Sequence, residues 1–337
     1  MTKEDVLSDY LKPSRRLAND IAKIEGDILI LGAGGKMGPA MAKLAQDAIN
    51  EAGIEKKIIA VSRFSEDSVF ERLNSQGIET IKADLLNDND LDKLPQIPNI
   101  IYLAGHKFGT SGNESYTWTM NSYLPGKVAE KFHKSNIVVF SSGNVYPLSP
   151  VVNGGMTEDM QASPVGEYAQ SCLGRERVFA YFSRKNSTPM FIYRLNYAND
   201  VAYGVLLEIA KSVKEEGEID LSMGNVNVIW QGDANEIAIR ALLHCSTPPR
   251  VVNVTGPEMI SVRWLANEFG KIFGKSPKFS GIESSDALLS NAAECFKLFG
   301  YPNVSLKQMV ELIGCWVAEG GKTINKPTHF QERKGEF

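Results

Sequence analysis

Over about the first two hundred residues, short apolar runs alternate with longer segments whose apolar residues recur at helical spacing. The runs are "DILIL" (27–31), "KIIAV" (57–61), "IETIKA" (78–83), "NIIYLA" (99–104), "NIVVF" (136–140) and "FIYRL" (191–195). They are rich in Ile and Val and nearly continuously apolar, as strands covered on both faces of a parallel sheet must be. Between the first two, Met37, Met41, Leu44, Ala45, Ala48 and Ile49 share one helical face, which predicts a crossover helix. Residues 116–133 and 168–182 read as further helices. Strands alternating with helices of this length predict an α/β fold with a Rossmann-type doubly wound parallel sheet.

Beyond residue 196 the pattern loosens. "SVRWLANEFGKIFG" (261–274) and "SLKQMVELIGCWVAEG" (305–320) remain clear amphipathic helices among Gly/Pro-rich connections. This predicts a helical extension over 1–26, a dinucleotide-binding domain over 27–195 and a smaller, mainly substrate-binding α/β domain over 196–320. Some segments of the last return to the first sheet. "KEEGEID" (214–220) reads as a solvated face and turn, and the polar tail 321–337 as an arm or a frayed end.

Composition narrows the function more than the fold. With 337 residues, 43% hydrophobic and 23% charged, the chain can bury a sizeable core. A formal net charge of −4 gives no global attraction to nucleic-acid phosphates or anionic lipid. The expected partners are a small molecule and a second copy of the chain. The charged opening "MTKEDVLSDY" is unlike a signal peptide, and no apolar run approaches the roughly 18 residues of a membrane span, so the expected location is the cytoplasm. Cys172, Cys245, Cys295 and Cys315 are scattered and suit reduced thiols, and the four histidines show no metal-ligand spacing.

The candidate chemistry begins at "ILILGAGGKMGPAMAKLA", where Gly32, Gly35 and Gly38, with Gly34, Lys36 and Met37 between them, follow the first strand and open its helix. A dinucleotide pyrophosphate must approach backbone N–H groups at such a helix N-terminus, and bulky side chains there would block it. The second strand ends in Val61-Ser62-Arg63. An arginine there can pair with a ribose 2′-phosphate, which favours NADP, with NAD as the other candidate.

With these residues in place, the chain from about 27 to 318 resembles the extended short-chain dehydrogenases/reductases, the NAD-dependent epimerase/dehydratase family. "ADLL" (83–86) is similar to that family's adenine-contacting segment, which implies Asp84 and Leu85. "YLAGHKFG" (102–109) resembles its strand-four turn, which implies that Ala104, Gly105 and Lys107 contact cofactor. Asn121 stands where the family often has an asparagine, which implies a place in the catalytic set, supporting the local backbone or a bound water. "VVFSSGNVYP" (138–147) resembles its Ser-Ser/Thr-x-x-Val-Tyr segment, which carries the catalytic hydroxyl onto Ser142 and puts Gly143 and Asn144 beside substrate. "TEDMQASPVGEYAQSCLGRE" (157–176) resembles the stretch holding its Tyr-x-x-x-Lys pair, so Tyr168 is implied as acid/base and cofactor contact. "YRLNYAND" (193–200) takes the place of its substrate-pocket segment, which implies Asn196. Relatives commonly dimerise through the helices carrying the residues that match Asn121 and Tyr168.

The pair is incomplete, because the lysine position holds Cys172. A free tyrosine has a pKa of ~10 and is only about 0.1% phenolate at pH 7. A lysine at i+4 would favour the phenolate, whereas a neutral thiol brings no charge. Lys107 is the first candidate to replace it and Arg175, at i+7, the second. Two functions follow. One is an NAD(P)-dependent epimerase, dehydratase or oxidoreductase acting on a sugar, nucleotide sugar or sugar acid, with "HKFGTSGNESYTW" (106–118) lining the pocket. The other is a catalytically impaired NAD(P)-binding sensor or scaffold.

Overall fold

The computed structural model describes residue 7, residues 10–107 and residues 109–336. Its centre is a parallel sheet of seven strands: β1 (Ile28–Leu31), β2 (Ile58–Ser62), β3 (Glu79–Lys82), β4 (Asn99–Tyr102), β5 (Asn136–Ser142), β6 (Met190–Leu195) and β7 (Arg250–Val254), in the order β7-β6-β5-β4-β1-β2-β3. Every neighbouring pair is parallel, with Leu31 opposite Val61 on one side and Tyr102 on the other. Six strands coincide with the apolar runs. The seventh was not foreseen as a strand.

The period of two along β1 divides the core. Ile28 and Ile30 face α1 (Arg15–Ile21) and α2 (Gly38–Ala52), while Leu29 and Leu31 join Leu124, Val128 and Phe179 on the opposite side. Each helix has a local cause. The Ser14 side chain accepts from the Leu17 N–H at the start of α1, and Gly53, at φ 63°, ends α2.

The helix predicted over 116–133 is three pieces: α5 (Glu114–Trp118), a π-helical turn (Thr119–Tyr123) and α6 (Leu124–Lys131). Pro125 has no N–H to return to the carbonyl four residues earlier, at Asn121, and the helix widens just before it. The long α7 (Gly166–Asn186) carries the Tyr168 motif.

After β6 the chain leaves for a second lobe, in which α8 (Val205–Lys214), α10 (Val262–Phe273) and α12 (Leu306–Ala318) pack their apolar faces together. Between them, α9 (Gln231–Arg240) returns to the β1 side of the sheet, and β7 follows it. "KEEGEID" closes α8, turns, and forms a short strand, Glu218–Asp220, paired with Lys278–Ser280. The tail is an ordered arm: Phe330 is buried in the second core, Thr328 bonds Glu208, and Arg333 bonds Asp286 and the Ser222 carbonyl. Among the described residues, no helix is long and apolar enough to cross a membrane.

Candidate functional site

A cleft runs along the carboxyl ends of β1 to β6, spanning the point where the strand order reverses between β1 and β4. Two cavities share Gly32, Gly35 and Leu103 and so form one continuous groove over the glycine turn. One, of about 390 Å³, is lined by Gly34, Ser62, Arg63, Glu66, Asp84, Leu85, Ala104 and Gly105 among others. The other, of about 270 Å³, holds Lys36, Met37, Gly38, Lys107, Ser142, Asn144, Tyr168 and Asn196. Thus most of the candidate residues inferred from the sequence meet in one place.

The glycine turn is bare for two reasons. Gly32 has φ +86°, and a Cβ there would lie 2.7 Å from the Ala104 nitrogen. Gly38 opens α2 so close to the preceding turn that a Cβ would lie 2.3 Å from the Ala33 carbonyl. What remains is a backbone cradle at a helix N-terminus, which fits a dinucleotide pyrophosphate. Arg63 is exposed at the rim of the first cavity, with the Glu66 carboxylate lining the same space.

At the far end stands the hydroxyl pair. Ser142 ends β5, where its Oγ accepts from the Asn144 N–H (3.1 Å) and donates to Asn144 Oδ1 (2.8 Å), capping a short 3₁₀ turn. It lines the same cavity as Tyr168 and acts to lower the pKa of that phenol. The serine is therefore both a turn cap and a cleft residue. Its neighbour Ser141 points the other way along the strand and donates to Glu176, which in turn binds Arg194 through both carboxylate oxygens (2.9 and 2.7 Å). Gly143 lies behind the cavity wall rather than on it. A Cβ there would press on Asn196, whose amide is itself bonded to Asn227.

Burial pushes the Tyr168 phenol far above its ordinary value, and Cys172 adds to this; the Arg175 charge and the Ser142 hydroxyl act in the opposite direction. Cys172 is fully buried, and burial raises its pKa too. Lys107 reaches over the Tyr168 ring, its Nζ 5.8 Å from the centroid. Desolvation lowers the pKa of Lys107, while Cys172 raises it.

Asn121 holds the turn that carries Lys107. Its Nδ2 donates to the His106 carbonyl (2.8 Å) and to Ser171 Oγ (2.9 Å), and its Oδ1 accepts from the His106 N–H (2.8 Å) and from Arg175 (2.6 Å). Asn121→Leu strands these partners, at about 1–3 kcal/mol for each unsatisfied buried group. The expected loss is about 3 kcal/mol or more, measured by urea unfolding. Of "HKFGTSGNESYTW", only Lys107 among the described residues lines the cavity, and Phe108 lies outside them. The His106 ring turns instead to Thr117 (3.1 Å) and Tyr116, which folds the stretch back on itself.

The sequence predicts a substrate-binding second lobe but, beyond Asn196, names none of its residues at the cleft. Tyr197, Tyr203 and Thr328 close the cavity opposite Tyr168. Lys36 spans the gap to them, its Nζ 3.1 Å from the Ala198 carbonyl and 3.8 Å from the Tyr203 ring centroid. Although the residue as a whole is exposed, crowding of its ammonium, offset in part by Asp200, pushes its pKa down to about 8. A lysine where the glycine turn faces a second lobe was the available signal.

Sheet order, glycine turn and cleft define a Rossmann-type α/β protein with a dinucleotide-shaped groove. The same architecture is found in UDP-glucuronic acid 4-epimerase from Bacillus cereus, solved in complex with NAD, with TM-score 0.71 and 19% identity over 87% of this chain and 99% of that one. UDP-glucose 4-epimerase from Thermotoga maritima, solved with UDP-glucose, gives TM-score 0.68 and 16% identity over 87% and 99%. An epimerase from Methanothermobacter thermautotrophicus gives 0.71 and 16% over 90% and 96%. No protein-family model matches the chain, and no curated protein is significantly similar to it.

Proposed function

We propose that the protein is an NAD(P)-dependent epimerase, dehydratase or oxidoreductase acting on a sugar, nucleotide sugar or sugar acid. The observation that carries this reading is that Tyr168 and Ser142 together line the cavity that continues from the bare glycine turn. The structural neighbours that bind NAD and UDP-sugars support it. When bound, the dinucleotide supplies a hydride acceptor at the Tyr168 end. The residues to hold it are Gly32, Gly34, Gly35 and Gly38 at the pyrophosphate, Asp84 and Leu85 at the adenine, and Lys107 and Tyr168 at the nicotinamide end. Tyr168, as its phenolate, then takes the proton of the reacting hydroxyl, and Ser142 turns its own proton from Asn144 to hydrogen-bond that oxygen. Asn144 and Asn196 flank the substrate.

The first experiment is to denature the protein as purified, release any dinucleotide and identify its type and redox state. UDP-glucose and UDP-glucuronic acid are then offered with NAD and NADP. Release of bound NAD(P), or reversible binding of it, together with turnover of a sugar substrate supports the enzyme. A protein that neither carries nor binds dinucleotide sinks the reading.

Arg63 favours NADP. Arg63→Glu should weaken NADP binding at least about tenfold, by replacing a phosphate partner with a repelling carboxylate, and leave NAD binding nearly unchanged. Isothermal titration with both dinucleotides checks this. The second reading, a dinucleotide-binding sensor or scaffold without turnover, is favoured by one observation, the neutral Cys172 beside Tyr168. We also propose pairing of two copies through α5–α6 and α7, where Tyr123 and Tyr181 are exposed.

A further inference from the structure

Arg175 is buried in an unusual way. Its Nη1 donates to the Phe140 carbonyl (2.8 Å) and its Nη2 to Asn121 Oδ1 (2.6 Å), while Nε has no hydrogen-bond partner. Both acceptors are neutral. The other two buried arginines are matched to carboxylates, Arg194 to Glu176 and Arg240 to Asp20 and Glu236. Glu176, next to Arg175 in sequence, is occupied by Arg194 and Ser141. A buried guanidinium without a carboxylate against it costs folding free energy. The Tyr102 ring, its centroid 6.0 Å from the guanidinium carbon, is a weaker partner than a carboxylate, and packing gives no further reason for the charge.

Its location gives one. The guanidinium is wedged between Phe140, two residues before Ser142, and Gly105, two residues before Lys107, where an added Cβ would lie 2.5 Å from Nη2. Cys172 lies one turn back on the same face of α7, and Tyr168 one turn further. The cation therefore sits beneath the elements that carry the reacting groups.

We propose that Arg175 brings to the Tyr168 hydroxyl, from one turn further along α7, the positive charge that a lysine at position 172 would bring, and that Asn121 holds it there. Arg175 is a positioning residue, acting through Tyr168; the inference rests on the acid/base role proposed above for that tyrosine. The groups facing Tyr168 are Cys172 and Arg175 from α7, Ser142 from β5 and Lys107 from the turn after β4. Burial and Cys172 oppose ionisation, and the Arg175 charge promotes it. Removing that charge thus raises the pH at which the phenol ionises, by about one unit, the lower end of the effect of a nearby charge.

The test replaces Tyr168 by trifluorotyrosine, whose phenol is more acidic than that of tyrosine, and follows its ionisation in the full chain by fluorine NMR. Arg175→Gln, neutral but still able to donate to Phe140, should raise the midpoint by about one pH unit; where the midpoint exceeds about pH 10, the ionised fraction at that pH should fall about tenfold. Arg175→Lys should hold it near the starting value. Exchanging the charges, Cys172→Lys with Arg175→Gln, should return it to that value or below, and this variant carries the test if Arg175→Gln alone does not fold. A folded Arg175→Gln protein with an unmoved midpoint, or an exchange variant titrating above the parent, overturns the proposal. The titration needs no turnover, so it stands or falls separately from the enzymatic reading, which a fully active Tyr168→Phe protein would sink.

Discussion

Tyr168→Phe should lower turnover of the sugar substrate by about 10² to 10⁴ while changing dinucleotide affinity by less than about tenfold. Tyr168 is the one residue of α7 that lines the cavity with Ser142, and Cys172, one turn along, is sealed away from solvent. Phenylalanine keeps the packing against Val145, Tyr146 and Cys172 and removes only the oxygen. Steady-state kinetics and isothermal titration on one preparation separate the two effects. A loss confined to affinity would make the tyrosine a cofactor ligand and nothing more.

Gly35→Ala and Gly38→Ala should fail in different ways. A Cβ on Gly38 would run into the Ala33 backbone at 2.3 to 2.6 Å, so α2 must shift from the turn, and both the unfolding midpoint and dinucleotide binding should fall. On Gly35 the same methyl group meets only the Gly32 carbonyl, at 3.4 Å, and stands in the groove shared by both cavities. That variant should melt like the parent, yet lose about a hundredfold or more in dinucleotide affinity, because the methyl group occupies the approach to the cradle. Thermal unfolding without ligand, beside titration with NAD and NADP, reads both. Equal losses of stability would mean that Gly35 serves the fold rather than a ligand.

Six strands could be read from the sequence, five because burial on both faces makes each a nearly unbroken apolar run, and β3, at the sheet edge with Glu79 and Lys82 exposed, because Ile78, Thr80 and Ile81 still mark it. β7 could not. "RVVNV" contains buried Asn253 and follows the turn-forming "STPP" (246–249). Asn253 is there because its amide joins Tyr146, Met156 and Asn291 across the lobes, a demand that hydropathy does not register. The glycine turn, Ser142 and Tyr168 were legible because each depends on local geometry, a turn, a strand end or a helix start. Thr328 and Tyr203 were not, since the folded arm and the second lobe bring them to the cleft. Arg175 was visible as a residue but not as a buried one. Spacing along α7 says nothing about Phe140 and Asn121 closing over it.

The course of the chain between the lobes also governs how the cleft can move. The backbone leaves the sheet after β6, returns for α9 and β7, departs for α10, and comes back for α11 (Ala293–Phe299) before ending in α12 and the arm. A pair of lobes joined by one linker can swing apart like a door. Joined by several separate crossings, these lobes are restrained on several lines at once, so that any opening of the cleft must bend every crossing together.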